Sequence, residues 1–209
     1  MSRPTAQRRK LERLLDTRNE HPEKLAEIDA RIAASFEETV AILVLDMCGF
    51  SRLTIRHGIV HYLAMIRRMQ RTVVPLVQEA RGHVVKTEAD NLFATFAKVA
   101  DAIQCARTIQ SELARANEVL PADWDVHVGI GIGYGPLLLI GEDDVFGSEM
   151  NLASKLGEDI AEAGEILLTA SAHERAGSLK RGFTLQRARV GSLRFPYYRA
   201  KTRAKKRTS

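Results

Sequence analysis

Two acidic residues, Asp46 and Asp90, sit where an ionised carboxylate is costly. Asp46 closes the apolar run Val40-Ala41-Ile42-Leu43-Val44-Leu45, and Asp90 lies in Lys86-Thr87-Glu88-Ala89-Asp90, inside an expected hairpin. A carboxylate in such surroundings needs a partner. A pair brought together from two strands can hold two Mg²⁺ ions, with phosphate oxygens completing each coordination shell. That arrangement points to phosphate chemistry. Taken singly, each acid has a plainer use: Asp46 as a cap on the next helix, Asp90 as a hairpin-turn residue.

The elements that must position these acids can be read along the chain. Residues 1–37 are polar and helix-favouring, with one apolar stripe at Leu11, Leu14 and Leu15 and another at Leu25, Ile28 and Ile32. His21-Pro22 separates two helices, with Pro22 at a helix start. Either this extension lies on its own domain or it forms a dimer-promoting stalk. Thr39 to Leu45 reads as a fully buried strand, broken by Gly49, with Ser51 able to cap a following helix. A longer helix is expected from about Gly58 to Ala80, with Leu63, Ile66, Met69, Val73 and Val77 inward and Gly82 at its end. His83–Lys86 and Leu92–Phe96 form two strands joined by Thr87 to Asn91. Residues 98–116 form an amphipathic helix.

Asp125 to Tyr134 alternates apolar residues with glycines, so one face of this strand admits another backbone or a ligand at close range. Pro136 to Ile140 is expected as a further strand and Ser148 to Ile160 as a helix. Glu165–Leu168 (strand), Ser171–Ala176 (helix) and a hairpin of Phe183–Arg189 with Phe195–Ala200 complete the chain. This order gives an α+β, ferredoxin-like sandwich with helices on one sheet face. The units expected are a helical extension (1–37), a compact domain (38–200) and a basic, solvated tail (201–209).

Composition bounds the class. The 209 residues suit one domain with extensions. Net charge is +5, and Lys201-Thr202-Arg203-Ala204-Lys205-Lys206-Arg207 carries five basic residues and no acid, so the remainder is nearly neutral. Without aromatic interleaving or a reading motif, that tail implies no specific nucleic-acid partner. No apolar run approaches the ~20 residues of a membrane-spanning helix, and the first residues lack the apolar core of a signal peptide. Cys48 and Cys105 form no disulfide pattern, so a reducing, cytoplasmic setting is expected. Cys105 reads as a small core residue.

Four ordered segments carry a resemblance. They are Leu45-Asp46-Met47-Cys48-Gly49-Phe50-Ser51, Lys86-Thr87-Glu88-Ala89-Asp90, Val128-Gly129-Ile130-Gly131-Ile132-Gly133-Tyr134-Gly135, and Asp144-Val145-Phe146-Gly147-Ser148-Glu149-Met150-Asn151-Leu152-Ala153-Ser154-Lys155-Leu156. Residues 39–199 resemble a class III nucleotidyl cyclase catalytic domain, the adenylate/guanylate cyclase family. The resemblance implies attack of a ribose 3′-hydroxyl on the α-phosphorus of a nucleoside triphosphate, with loss of pyrophosphate. It implies two Mg²⁺ or Mn²⁺ ions held by Asp46 and Asp90 with the Met47 carbonyl. Gly49, Phe50 and Ser51 would cradle the triphosphate at a helix start. Lys86 and Asp144 would read the base. Adenine offers an N6 donor to Asp144 and an N1 acceptor to Lys86, so the pair favours ATP. Asn151 and Lys155, at i and i+4, share a helix face. Asn151 would orient the ribose and Lys155 would stabilise the transition state.

The chain departs from the family pattern at three points. Position 155 normally carries Arg, whose planar fork Lys lacks. Ala89 stands where the family has Gly, which matters if the backbone there needs φ > 0. No Lys falls in the last hairpin, where Arg189 or Arg194 could substitute for the phosphate contact. In the family the site lies between two domains, and this chain holds both half-sets, so a homodimer is implied. The competing reading is a weak or inactive cyclase-like module that binds nucleotide or only dimerises. A third is a cyclase using GTP or a pyrimidine triphosphate.

Overall fold

The computed structural model describes residues 5–49, 55–141, 144–191 and 193–201. Two helices, α1 (Ala6–Glu20) and α2 (Leu25–Phe36), precede strand β1 (Glu37–Met47). Then come α3 (Ile59–Glu79), β2 (His83–Glu88), β3 (Asn91–Phe96) and α4 (Val99–Asn117). The second half holds β4 (Val128–Ile140), β5 (Asp144–Phe146), α5 (Ser148–Ser154), a π-helical turn (Lys155–Ile160), β6 (Ile166–Thr169), α6 (Ala170–Arg175), β7 (Phe183–Val190) and β8 (Leu193–Ala200). The strands form one sheet in the order β2-β3-β1-β4-β6-β8-β7, with β5 added beside β4.

β1 is buried on both faces, which is why its sequence is a continuous apolar run rather than an alternating one. Ala41, Leu43 and Leu45 meet Met65, Met69 and Val73 of α3 and Ile103, Ala106 and Ile109 of α4. Ile42 and Val44 face the other way, onto Val85, Phe93, Leu137, Val145 and Ala153. The helices are therefore not confined to one face as expected. α3, α4 and α6 cover the first, while α5 covers the second.

The glycine stripe of β4 explains how α5 gets there. A Cβ on Gly131 would lie 2.1 Å from the Ala153 carbonyl oxygen, and one on Gly133 would lie 2.7 Å from that of Glu149. The stripe admits another backbone, and that backbone is α5.

Four expectations are corrected. β4 is one strand of 13 residues, not two. Pro136 survives inside it because β6 pairs only Ile130–Ile132 and β5 only Leu138–Ile140, leaving an open edge between. The Tyr134 N–H points to that edge, so the Pro136 nitrogen two residues on faces it too and forfeits no ladder bond. Asp125 and Val126 lie outside the strand. The expected helix 148–160 is α-helical only to Ser154, then widens to a π-turn. Leu63 faces solvent, and Tyr62 and Met65 take the inward positions on α3.

The extension does not stand away as a stalk. α1 and α2 form a hairpin clasped by the bidentate Arg18–Asp29 pair (2.5 and 3.1 Å). Leu11, Leu14, Ile28, Ile32 and Phe36 pack with Ile140 at the end of β4. The tail beyond Lys201 lies outside the described residues.

Candidate active site

The β1–β3 register, with Leu45 opposite Leu92, sets the end of β1 beside the β2–β3 turn. Asp46 and Asp90, 44 positions apart in sequence, thereby become neighbours. Burial first, then the charges of Asp90 and Glu158, push the Asp46 carboxyl up to about 7, against the pull of the Met47 N–H. Met47 ends β1 with its side chain in the core. Tyr62 of α3 belongs to the same corner. Burial, then the Asp90 and Asp46 carboxylates, hold its phenol well above its ordinary range. Among the described residues no three acidic, His or Cys side chains converge as a metal cage. Two hard carboxylates, one of them disfavoured as an anion by burial and by its neighbour's charge, do fit a divalent cation that takes further oxygens from a phosphate ligand.

The turn that carries Asp90 is tighter than expected. Glu88 pairs with Asn91, so the loop is only Ala89-Asp90. Ala89 has φ +51°, the left-handed region at a loop position that favours glycine. The strain is roughly 1–2 kcal/mol for a residue with a Cβ. Ala89→Gly should therefore stabilise the fold by about 0.5–1 kcal/mol, after glycine's larger unfolded-state entropy is subtracted. Thermal unfolding should shift up by about 1–3 °C; a lower midpoint would contradict the strain.

Two residues past the end of β1, Gly49 turns the chain with φ +83°. Phe50 and Ser51 lie outside the described residues.

Lys86 and Asp144, 58 positions apart, meet directly. Lys86 Nζ lies 2.9 Å from Asp144 Oδ1 and 3.1 Å from Glu88 Oε2. It also sits over the Phe93 ring, 4.9 Å from the centroid. Against the cost of desolvation, hydrogen bonds to Asp144 and Glu88 hold its ammonium above the ordinary range. Asp144 Oδ1 also accepts the Val145 N–H at 3.0 Å, fixing the carboxylate at the head of β5.

Asn151 is exposed on α5. Lys155 opens the π-turn, its Nζ 4.0 Å from Asp159 Oδ2. The helix bearing both is anchored by Glu149, which sequence reasoning missed. Its carboxylate accepts from the Tyr134 N–H (3.1 Å) and from the hydroxyls of Thr169 (2.7 Å) and Ser171 (2.9 Å). It thus takes over the N–H that β6 leaves unpaired. The only signal in the sequence was an acid at a helix start, and that is common to helices of every function. Arg189 and Arg194 face each other across the exposed β7–β8 hairpin, on the sheet edge opposite β2.

The predicted residues thus form three groups: Asp46 with Asp90, Lys86 with Asp144, and Asn151 with Lys155, with the two arginines apart. Among the described residues no hydrogen bond or ion pair joins one group to another. A cleft of about 550 Å³ beside α1, lined by Gln7, Glu38, His83 and Thr95, contains none of them.

Comparison with known proteins gives the family and the fold. The family pattern described as "Adenylate and Guanylate cyclase catalytic domain" matches residues 32–200, beginning inside α2. A Rhizobium meliloti (strain 1021) protein named "Putative adenylate cyclase 3" is 30% identical over 134 residues, 64% of this chain and 22% of that protein. The chain thus spans about a fifth or less of the curated relatives it matches. The crystal structure of an "Adenylate/Guanylate Cyclase/Hydrolase" from Silicibacter pomeroyi superimposes with TM-score 0.69 at 28% identity, covering 80% of this chain and 98% of that one. The adenylyl cyclase CyaB from P. aeruginosa shares the fold, with TM-score 0.64 at 18% identity over 81% of this chain and 96% of that one.

Proposed function

The chain belongs to the adenylate and guanylate cyclase catalytic domain family, and from that membership we propose that it converts ATP to 3′,5′-cyclic AMP and pyrophosphate. The observation that carries the choice of ATP is the contact of Lys86 with Asp144, a donor and an acceptor side by side. Asp144 accepts from the adenine N6 amino group while Lys86 donates to N1. Asn151 holds the ribose so that its 3′-oxygen lies in line with the bond from the α-phosphorus to the leaving pyrophosphate. The P–O3′ bond forms as that bond breaks. The hydroxyl proton leaves toward a nearby base, and Lys155 offsets charge on the transferred phosphoryl. The Gly49–Ser51 turn and Arg189 or Arg194 hold the triphosphate. Asp46, Asp90 and the Met47 carbonyl are the residues to hold two Mg²⁺ or Mn²⁺ ions. Bound there, the ions supply acidity to the attacking hydroxyl and neutralise the triphosphate.

That one chain carries both half-sets supports a site completed by a second copy of the chain, one copy giving Asp46 and Asp90 and the other the base-reading pair, Asn151 and Lys155. In this reading residues 38–200 are the catalytic unit, 1–37 an appended hairpin and 201–209 a solvated tail. The free thiols Cys48 and Cys105 suit a reducing, cytoplasmic setting. The described residues contain no helix long and apolar enough to cross a membrane.

A second reading, a cyclase-like module with little turnover, is favoured by one observation: Lys155 brings a single ammonium, already near Asp159. Base choice is tested separately. Replacing Lys86→Glu and Asp144→Ser together should cut the ATP-over-GTP preference in kcat/KM by about tenfold or more, the scale of charged hydrogen bonds lost or reversed. An unchanged preference would remove this pair from base reading.

A further inference from the structure

The Lys86–Asp144 ion pair has a further charged neighbour, from outside the family's matched segment. Arg8 of α1 places Nη1 3.7 Å from Asp144 Oδ2. The two carboxylate oxygens are thus divided: Oδ1 is taken by Lys86 and by the Val145 N–H, while Oδ2 faces Arg8. The contact is built rather than incidental. α1 is fixed by Leu11 and Leu14 in the cluster that includes Ile140, four residues before Asp144. Its first turn is capped by the Thr5 hydroxyl, which accepts the N–H of Arg8 itself. Glu12, one turn on, lies 3.7 Å from the same guanidinium and steadies it.

The chemistry of purines gives this contact a consequence. Along its pairing edge adenine presents a donor at position 6 and an acceptor at position 1. A 6-oxopurine such as guanine presents the reverse, an acceptor at position 6 and a donor at position 1. With Lys86 and Asp144 alone, guanine would set its O6 against a carboxylate and its N1–H against an ammonium. A guanidinium beside Oδ2 adds a donor at the position-6 side, where the carboxylate already offers an acceptor. Arg8 also keeps part of the Asp144 charge compensated when Lys86 turns to the base.

We infer that Arg8 is a specificity-determining residue that relaxes base choice, so that the pocket accepts 6-oxopurine triphosphates alongside ATP. This rests on the assignment of Lys86 and Asp144 as the base-reading pair. It makes α1 part of the substrate site rather than a passive extension.

The test compares wild type, Arg8→Ala and Arg8→Lys for ATP and GTP. Dissociation constants are measured by titration calorimetry with Ca²⁺, and cyclic product formation with Mn²⁺. Arg8→Ala should weaken GTP binding about tenfold, as expected for one charge-assisted hydrogen bond. ATP binding should stay within about twofold of wild type, and Arg8→Lys should restore most of the GTP affinity. An ATP-to-GTP ratio that Arg8→Ala leaves unchanged overturns the inference. So does an equal loss of both nucleotides, which marks a structural role only. The binding ratio is read without turnover. A wild type that binds both nucleotides but forms no cyclic product sinks the cyclase reading while leaving the role of Arg8 to be decided by that ratio.

Discussion

Lys155→Arg should raise kcat for cyclic AMP formation by about 30-fold or more and leave KM for ATP within about threefold. Position 155 shares a helix face with Asn151 and contributes one ammonium, a compact point charge. A planar guanidinium there offers two parallel N–H bonds to the oxygens of the phosphoryl group as negative charge grows on them. Such a contact is worth roughly 2–4 kcal/mol when it is made chiefly in the transition state, which converts to about 30- to 1000-fold in rate. An interaction realised only in the transition state moves kcat and kcat/KM together. Lys155 also lies 4.0 Å from Asp159, half-exposed, so part of its charge is already answered within its own chain. A variant that lowers KM without raising kcat would show that position 155 binds ground-state ATP instead.

Asp46→Asn should reduce cyclisation by about 10³-fold or more, since it removes a carboxylate from the expected ion site. It should also make the metal-free protein more stable at neutral pH. The Asp46 carboxyl titrates near 7 in the folded chain, against an ordinary value of 3.8, chiefly because it is buried and then because Asp90 and Glu158 oppose its charge. Below about pH 4 both folded and unfolded states hold the proton, and no penalty exists. Between about 4 and 7 the unfolded chain has lost the proton while the folded one keeps it, so stability falls as pH rises. Above 7 the penalty is complete, at roughly 2–4 kcal/mol. Denaturation in chelator across this range should therefore show a falling wild-type curve and a flatter Asp46→Asn curve. Mn²⁺ should restore wild-type stability and leave the Asp46→Asn variant unmoved. Mixing inactive Asp46→Asn with inactive Lys155→Ala protein should recover part of the activity, up to about a quarter if subunits exchange at random and one intact site forms in half the dimers. No recovery under exchanging conditions would argue against a shared site.

How much of this could be read from the residues depended on whether the cause was local. β1 was legible because burial on both faces leaves a run of apolar, β-branched residues with nothing else to do. The glycine parity of β4 was legible as a demand for close approach, though which backbone would approach was not. Leu63 misled because a helix of 21 residues carries more apolar side chains than its inner stripe needs. Pro136 misled because its tolerance depends on where β5 and β6 stop pairing, which is a property of the sheet and not of the strand. The family pattern flagged Ala89 as a position where glycine would matter, and the two-residue turn shows why. The juxtapositions of Asp46 with Asp90 and of Lys86 with Asp144 were legible through ordered motifs. Glu149 and Arg8 were not, because each acts through contacts 15 to 136 positions away that only the folded sheet and hairpin create. Phe50 and Ser51, expected from the motif to cradle phosphate, fall outside the described residues.

Whether this chain cyclises ATP can be read from a single incubation of the purified protein with ATP and Mn²⁺, the products being identified by mass spectrometry. The expected products are 3′,5′-cyclic AMP and pyrophosphate in equal amounts, formed slowly by wild type and faster by Lys155→Arg. Cyclic AMP from neither protein, with ATP recovered intact or hydrolysed to ADP, would contradict the cyclase assignment.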